Sequence, residues 1–458
     1  MTPGQTLAFH FDHLLLHAGW ARQARMVCRG GQVESIIEGV GPEPRDIRLD
    51  VGVPGMPNVH SHAFQRAMSG LAERRGPSED SFWTWRELMY RFVGRITPEQ
   101  LSSIAALAFM EMLESGFTRV GEFHYLHHDR DGGVFSDPSA MSAAIVEAAD
   151  ETGIGLTHLP VFYAHSGFGG TRPTREQSRF VHDLDSFGRL LDALPGTLGV
   201  LPDAVLGLAP HSLRAVTPDE LSILERLAGN GPVHIHIAEQ LREVEDCVAW
   251  SGSRPVEWLL GEAEVNSRWC LVHATHANER EIDSIARSGA VVGLCPVTEA
   301  NLGDGIFPAA RLMKTGGRFA VGSDSNVLID MSEELRLLEY GQRLDQQRRN
   351  VLAYGPDSST GSDLYRACIS GGNQALGCRG ALTPGSSADF FTLDADHPSL
   401  INRDHDRMVD SFLFGAGRQA INGVWRRGEQ IVERGRHARR ERIVRRYREV
   451  LSELIRWA

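Results

Sequence analysis

Lysine is all but missing from this 458-residue chain: Lys314 is the only one, and the other 46 of its 47 basic residues are arginine. A site built on a lysine amine, or on a modified lysine bridging two metal ions, therefore has a single candidate. An excess of positive charge is missing too. The net charge of -12 argues against nucleic acid as a partner, because phosphate recognition needs clustered Lys and Arg. The local exception is the tail GRHARRERIVRRYREV, whose arginines alternate with Glu and apolar residues at helical spacing. That is the pattern of a solvated or subunit-contacting helix. No apolar run reaches the roughly 18 residues of a membrane span, and the opening MTPGQTLAFHFDHLLLHAGW lacks a basic start followed by an unbroken apolar core. The expected location is the cytoplasm, with no membrane partner. A C-x-x-C pair is also absent, so Cys28, Cys247, Cys270, Cys295, Cys368 and Cys378 read as buried thiols.

What is present is a regular alternation. Eight short apolar, β-branched runs lie between about residues 51 and 325: VGVPGMPNVH, TRVGEF, IGLTHLPVFY, AVLGLAPH, PVHIHIAE, WCLVHAT, AVVGLCP and RFAVGSD. Amphipathic segments separate them, among them 98–115, 139–152, 218–228 and 279–288, with apolar residues near i, i+3, i+4 and i+7. Eight βα units predict an α/β chain with a (β/α)8 TIM-like barrel. The two ends fall outside the pattern. LAFHFDHLLL, ARMVCRG and QVESIIEG at one end, and SADFFTLDAD and INGVWRRGEQIVERG at the other, read as strands with Gly-containing turns. Neither end can bury a core alone, so together they are expected to form one small β-sandwich. The predicted division is 1–54 and 384–458 for that sandwich, the latter with a terminal helix, and 55–383 for the barrel. Two further helices, near 332–348 and 362–376, belong beside the barrel.

The polar residues that carry chemistry sit where these runs end, the face on which such barrels build active sites. His60 and His62 end the first run two positions apart, an alternation that lets both imidazoles face one ion. The fifth run contributes His234, His236 and Glu239, the sixth His273, and the eighth Asp324. His234 reads as a core histidine facing away from the mouth. The remaining side chains are explained more economically by one site than by separate structural roles. Three histidines and a carboxylate suit one zinc ion per chain, with Fe2+ or Mn2+ also compatible. A two-metal arrangement is not expected, because Lys314 lies in a helix before the eighth run and not at a strand end.

The strings PNVHSHAFQRA, HIHIAE, LVHATH and VGSDS, in this order, resemble the amidohydrolase superfamily over essentially the whole chain. Within it, MPNVHSHAFQRAMSGLAER with Trp83-Thr84-Trp85-Arg86, GEFHYLHH, APHSLRAV and CPVTEANLGDGIF resemble the formimidoylglutamate deiminases of histidine degradation. The resemblance implies His60, His62, His236 and Asp324 as metal ligands and Glu239, His273 and Asp324 as the catalytic groups. It also implies Arg86, in the loop after the first run, and Arg214, three residues after His211 at the end of the fourth, as clamps on two substrate carboxylates, with Gln65, Tyr125 and His211 as further substrate contacts. The ordinary roles of those three would be turn polarity, a half-buried aromatic and a helix-start hydrogen bond. The expected reaction is hydrolysis of N-formimino-L-glutamate, a small dicarboxylate, to N-formyl-L-glutamate and ammonia by a homodimer. The alternatives are a guanine, adenosine-like or triazine hydrolase, and a noncatalytic metal-stabilised binding protein.

Overall fold

The computed structural model describes residues 6–73 and 82–456. Four strands open it: β1 (Thr6–Leu16), β2 (Gly19–Arg29), β3 (Gln32–Ile37) and β4 (Ile47–Pro54). Nine follow: β5 (Met56–Ser61), β6 (Phe117–His124), β7 (Gly155–Phe162), the short pieces β8 (Val205–Leu206) and β9 (Ala209–Pro210), β10 (Val233–Ile237), β11 (Trp269–His273), β12 (Val291–Leu294) and β13 (Arg318–Val321). The last four are β14 (Phe390–Leu393), β15 (Ile421–Arg426), β16 (Glu429–Glu433) and β17 (Arg436–His437).

In the middle of the chain all pairings between these strands are parallel. β5, β6, β7 and β8 form one sheet, with β9 also paired to β7, and β10 to β13 form a second. Parallel bridges Leu208–Val233 and Ser212–His236 join them along one edge, and Ser61–Asp324 along the other. Helices fill the crossovers because their start signals are strong. Thr97, Thr217 and Asn278 each close a reciprocal capping box with Gln100, Glu220 and Glu281, worth about 1 kcal/mol at each cap. The resulting helices, Pro98–Glu114, Pro218–Leu227 and Glu279–Ser288, match the amphipathic segments of the sequence to within a residue or two.

Two runs differ from their sequence reading. VGVPGMPNVH is not one strand: its first half ends β4 in a different sheet, and its second half is β5. Gly55 makes the break, since a Cβ there would stand 2.2 Å from Thr118 Oγ1. AVLGLAPH is split into β8 and β9 at Gly207, where a Cβ would meet Pro232 O at 2.6 Å.

The helix Thr360–Ala375 lies against β5, β12 and β13, and close approach requires its glycines. A Cβ on Gly371 would lie 2.1 Å from Phe319 O. The end of that helix and the turn after it reach the parallel strands: Ala375 and Leu376 pack with Val59, Val272, Val291 and Ala320. Leu376 O accepts from Thr157 Oγ1 at 3.0 Å. His234 bonds Ala375 O at 2.8 Å, which gives it the core role expected of it.

The two chain ends share one eight-stranded sheet in the order β17-β16-β15-β14-β4-β1-β2-β3. It has its own core, in which Phe390 packs edge-on to Phe9 and Phe11 and stacks on Trp425. The Arg-rich tail is helical over Arg440–Ile455, but it packs on the helix Pro98–Glu114 of its own chain. Arg440 pairs with Glu114, and Arg442 and Arg446 with Glu151. All six cysteines are free, five buried and Cys378 half-buried. Among the described residues no helix is long and apolar enough to cross a membrane.

A buried ion network ties the terminal sheet to the first residues of the parallel strands. Asp203 accepts from Arg119 at 2.7 Å and from Arg426 at 2.8 Å, and Arg426 also holds Asp389. Burial would raise the Asp203 pKa, but Arg426 and Arg119 outweigh it and hold it down at about 2. Removing one partner of such a network strands the others, at a cost of about 3 kcal/mol. Asp203→Asn is therefore expected to lower the unfolding free energy by about that amount, measured by urea denaturation. Because the folded carboxyl titrates below its unfolded value of about 3.9, its contribution is complete above about pH 4. It is lost as the pH falls toward 2, so the gap between wild type and variant should close over that range.

Candidate functional site

The site forms where β5 and β13 meet. Asp324 N donates to His60 O and His62 N donates to Asp324 O, both at 2.9 Å. Gly322 permits the approach, since a Cβ there would sit 2.7 Å from His60 N. Asn58 braces the junction, donating to Ser323 Oγ at 2.6 Å and accepting from Ser323 N at 3.1 Å. Asn326 Nδ2 donates to the carbonyls of His62 and Asp324 at 3.1 and 3.0 Å. The segment turns sharply. Asp324 (φ 42°) and His273 (φ 67°) both adopt the left-handed backbone that costs a non-glycine residue energy.

The side chains converge as a result. Asp324 Oδ1 lies 3.3 Å from His62 Nε2 and 3.4 Å from His60 Nε2. His236 Nε2 lies 3.0 Å from His60 Nε2. His273 Nε2 stands 3.9 Å from Asp324 Oδ2 and 3.9 Å from Glu239 Oε1. Ligand atoms of His60, His236, His273 and Asp324 all fall within 4.8 Å of one another. All six side chains are at least 95% buried.

The hydrogen bonds behind the imidazoles decide their chemistry. His62 Nδ1 donates to Phe123 O at 2.9 Å and His236 Nδ1 to His211 O at 3.0 Å, so each Nε2 presents a lone pair inward. Burial pushes His60 down to about 3 and lowers His62 and His236 as well. Burial would raise the Asp324 carboxyl, but His60, His62 and His273 hold it well below the usual carboxylate range. Neutral imidazole lone pairs crowded around a carboxylate, two of them 3.0 Å apart, fit a divalent cation between them. His273 differs. Its Nδ1 donates to Glu299 Oε1 at 3.2 Å, and against the effect of burial Glu239, Glu299 and Asp324 raise its pKa. Burial in turn raises the Glu239 pKa. Glu239 lies before the helix Leu241–Ser251 and does not cap it; its backbone N–H and that of Ala238 donate to Glu243 at 3.1 and 3.2 Å.

A cavity opens above this group, and every expected substrate contact lines it: Gln65, Arg86, Tyr125, His211 and Arg214. Gln65 Nε2 donates to Tyr125 Oη at 2.9 Å, while Gln65 Oε1 and Arg214 Nε are buried without a partner. A buried polar atom left free on a cavity wall calls for a partner, which a bound ligand or water supplies. His211 bonds Ser212 Oγ and packs 4.9 Å from His236 rather than starting a helix. Arg86 is not in a loop: it belongs to the helix Phe82–Val93, whose Met89, Phe92 and Val93 are buried. The apolar spacing Phe82, Trp85, Met89, Phe92 was the overlooked helical signal. Glu299 was also unassigned, although it stands four residues after Cys295, at a helix start beside a strand end. Lys314 is exposed at the end of the helix Ala309–Lys314, away from this group.

The profile of the amidohydrolase family matches residues 51–431. The chain belongs to this family. It is 48% identical over 451 residues to formimidoylglutamate deiminase of Pseudomonas aeruginosa, covering 98% of this chain and 99% of that protein. To 8-oxoguanine deaminase of the same organism it is 26% identical over 422 residues, 89% and 90% of the two chains. An amidohydrolase crystal structure from Brucella melitensis superposes with a TM-score of 0.95 at 51% identity, covering 98% of this chain and all of that one. A zinc-bound adenosine deaminase from Xanthomonas campestris shares the fold, with a TM-score of 0.80 at 21% identity over 98% of each chain.

Metal analysis of the purified protein is expected to find about one divalent ion per chain. His236→Ala, which removes an inward lone pair, should bring that below about one tenth while circular dichroism stays unchanged.

Proposed function

We propose that this amidohydrolase hydrolyses N-formimino-L-glutamate to N-formyl-L-glutamate and ammonia, as a step of histidine breakdown. The observation that carries the proposal is that Arg86 and Arg214 line the same cavity as Asp324 and Glu239, with the buried Nε of Arg214 lacking a partner. Two guanidinium forks match the two carboxylates of a glutamate, and the name of the relative at 48% identity supports this reading. The bridges that link the two parallel sheets along both edges support a closed (β/α)8 barrel over 55–383. The strands of 1–54 and 384–458 then form a separate small β domain, one eight-stranded sheet rather than the two layers of a sandwich, about the Phe390 core.

His60, His62, His236 and Asp324 would hold one zinc ion. When bound, it acts as a Lewis acid that makes water acidic enough to attack near neutral pH. His62 is preferred over His273 as a ligand because its Nδ1 is anchored on a backbone carbonyl, whereas His273 lies between Glu299 and Glu239 and keeps its proton. Asp324 takes a proton from the attacking water. Glu239, whose burial favours its protonated form, delivers a proton to the terminal nitrogen of the formimino group, which departs as ammonia. His273 donates a hydrogen bond to the incoming oxygen, which becomes the formyl oxygen. Gln65, Tyr125 and His211 orient the formimino end, while the arginines fix the glutamate end.

Glu239→Gln is expected to lower kcat by a factor of about 10² to 10⁴, followed by ammonia release. Arg86→Met and Arg214→Met should each lower kcat/KM for N-formimino-L-glutamate by about a hundredfold, since each removes a charge-assisted pair worth roughly 3 kcal/mol. Unchanged kinetics in both arginine variants would overturn the clamp assignment. Faster ammonia release from guanine or adenosine than from formiminoglutamate would overturn the substrate.

A further inference from the structure

Trp83 has no part in the chemistry above, yet three cations gather around its ring. The guanidinium carbon of Arg86 lies 4.5 Å from the ring centroid, that of Arg242 4.9 Å and that of Arg214 5.9 Å. They come from three separate segments: the helix Phe82–Val93, the turn after β9, and the first turn of the helix Leu241–Ser251. Like charges repel, and only Arg86, three residues along the same helix, is brought to Trp83 by local secondary structure. Arg242 runs against it, because a cation in the first turn of a helix opposes the helix dipole. Its acidic neighbour, Asp246, is 3.8 Å away, and both side chains are more than half exposed, so that pair does little to hold it. The negative face of an indole offsets part of the repulsion, and an anion between the guanidinium groups would offset the rest.

We infer that Trp83 is a positioning residue for the carboxylate end of the cavity and that Arg242 is a third anion-recognising group at its mouth. The inference rests on the dicarboxylate reading given above and deepens it. Arg86 and Arg214 supply the inner contacts, and the Trp83 ring sets the spacing between them. Arg242, exposed and 4.9 Å from the Trp83 ring, draws the dianion in and sets selectivity for substrates that carry both carboxylates. A loss at Trp83 should therefore weaken binding of dicarboxylates and leave the reaction at the formimino carbon alone.

The test uses glutarate, a five-carbon dicarboxylate without a reacting group, titrated by calorimetry into the metal-loaded enzyme. Trp83→Leu is expected to weaken glutarate about tenfold and Arg242→Met about fivefold, while Trp83→Phe, which keeps an aromatic face, stays within threefold of wild type. In kinetics, Trp83→Leu should raise the KM for N-formimino-L-glutamate about tenfold with kcat within threefold. Its kcat/KM for N-methylformamidine, which has no carboxylate, should not change. Glutarate binding within twofold of wild type in both Trp83→Leu and Arg242→Met would overturn the inference, as would equal losses on glutarate and N-methylformamidine, or a wild type that does not bind glutarate. If Trp83→Leu fails to fold, Arg242→Met alone decides. Intact glutarate binding with these losses, but no turnover of formiminoglutamate, would overturn the substrate reading and leave the anion platform standing.

Discussion

Two backbone hydrogen bonds, Asp324 N to His60 O and His62 N to Asp324 O, hold the first and last parallel strands of this chain together. The rest of the site depends on them. They bring residues 262 or more positions apart in sequence into one ring of donors, and they do so with main-chain geometry that side-chain motion cannot relax. Asn58, Ser323 and Asn326 fill the remaining hydrogen-bond capacity of the junction. The bent backbone at Asp324 is thereby held by satisfied neighbours, and its strain is spent on aiming a carboxylate at three imidazoles.

Burial then separates the chemistry of similar side chains. His60, His62 and His236 are driven neutral by burial, reinforced by the neighbouring imidazoles. His273, equally buried, is driven the other way because Glu299 and Glu239 flank it. Of the two carboxyls, Asp324 among imidazoles stays ionised, whereas burial favours the protonated form of Glu239. One pocket thus contains neutral imidazoles, an ionised carboxylate and a carboxyl that burial disposes to hold a proton, distinguished by what surrounds each group.

Much of this was legible in the amino-acid order. Strand ends marked by His60, His62, His236, His273 and Asp324 give the site, and Thr97, Thr217 and Asn278 announce the helices between them. The failures have local causes. VGVPGMPNVH reads as one apolar run because composition does not reveal that Gly55 passes the chain from one sheet to another against Thr118. Arg86 reads as a loop residue because the helical spacing around it is carried by bulky aromatics rather than strong helix formers. Glu299 and Trp83 are invisible for another reason. Their roles exist only once the helix Pro296–Leu302 meets β11, and the helix Phe82–Val93 meets the turn after β9 and the helix Leu241–Ser251, contacts that no spacing along the chain encodes. The Arg-rich tail has a helical pattern that sequence shows, but its partners, Glu114 and Glu151, lie some 300 positions away.

What defines the reaction is which bond breaks in a dicarboxylate amidine. The direct measurement is turnover of N-formimino-L-glutamate in H2-18O by the metal-loaded enzyme, with products followed by mass spectrometry. The result expected is N-formyl-L-glutamate carrying one 18O in its formyl group, with one ammonia per molecule formed. Glutamate with labelled formamide, or no turnover while a purine is deaminated, would contradict it.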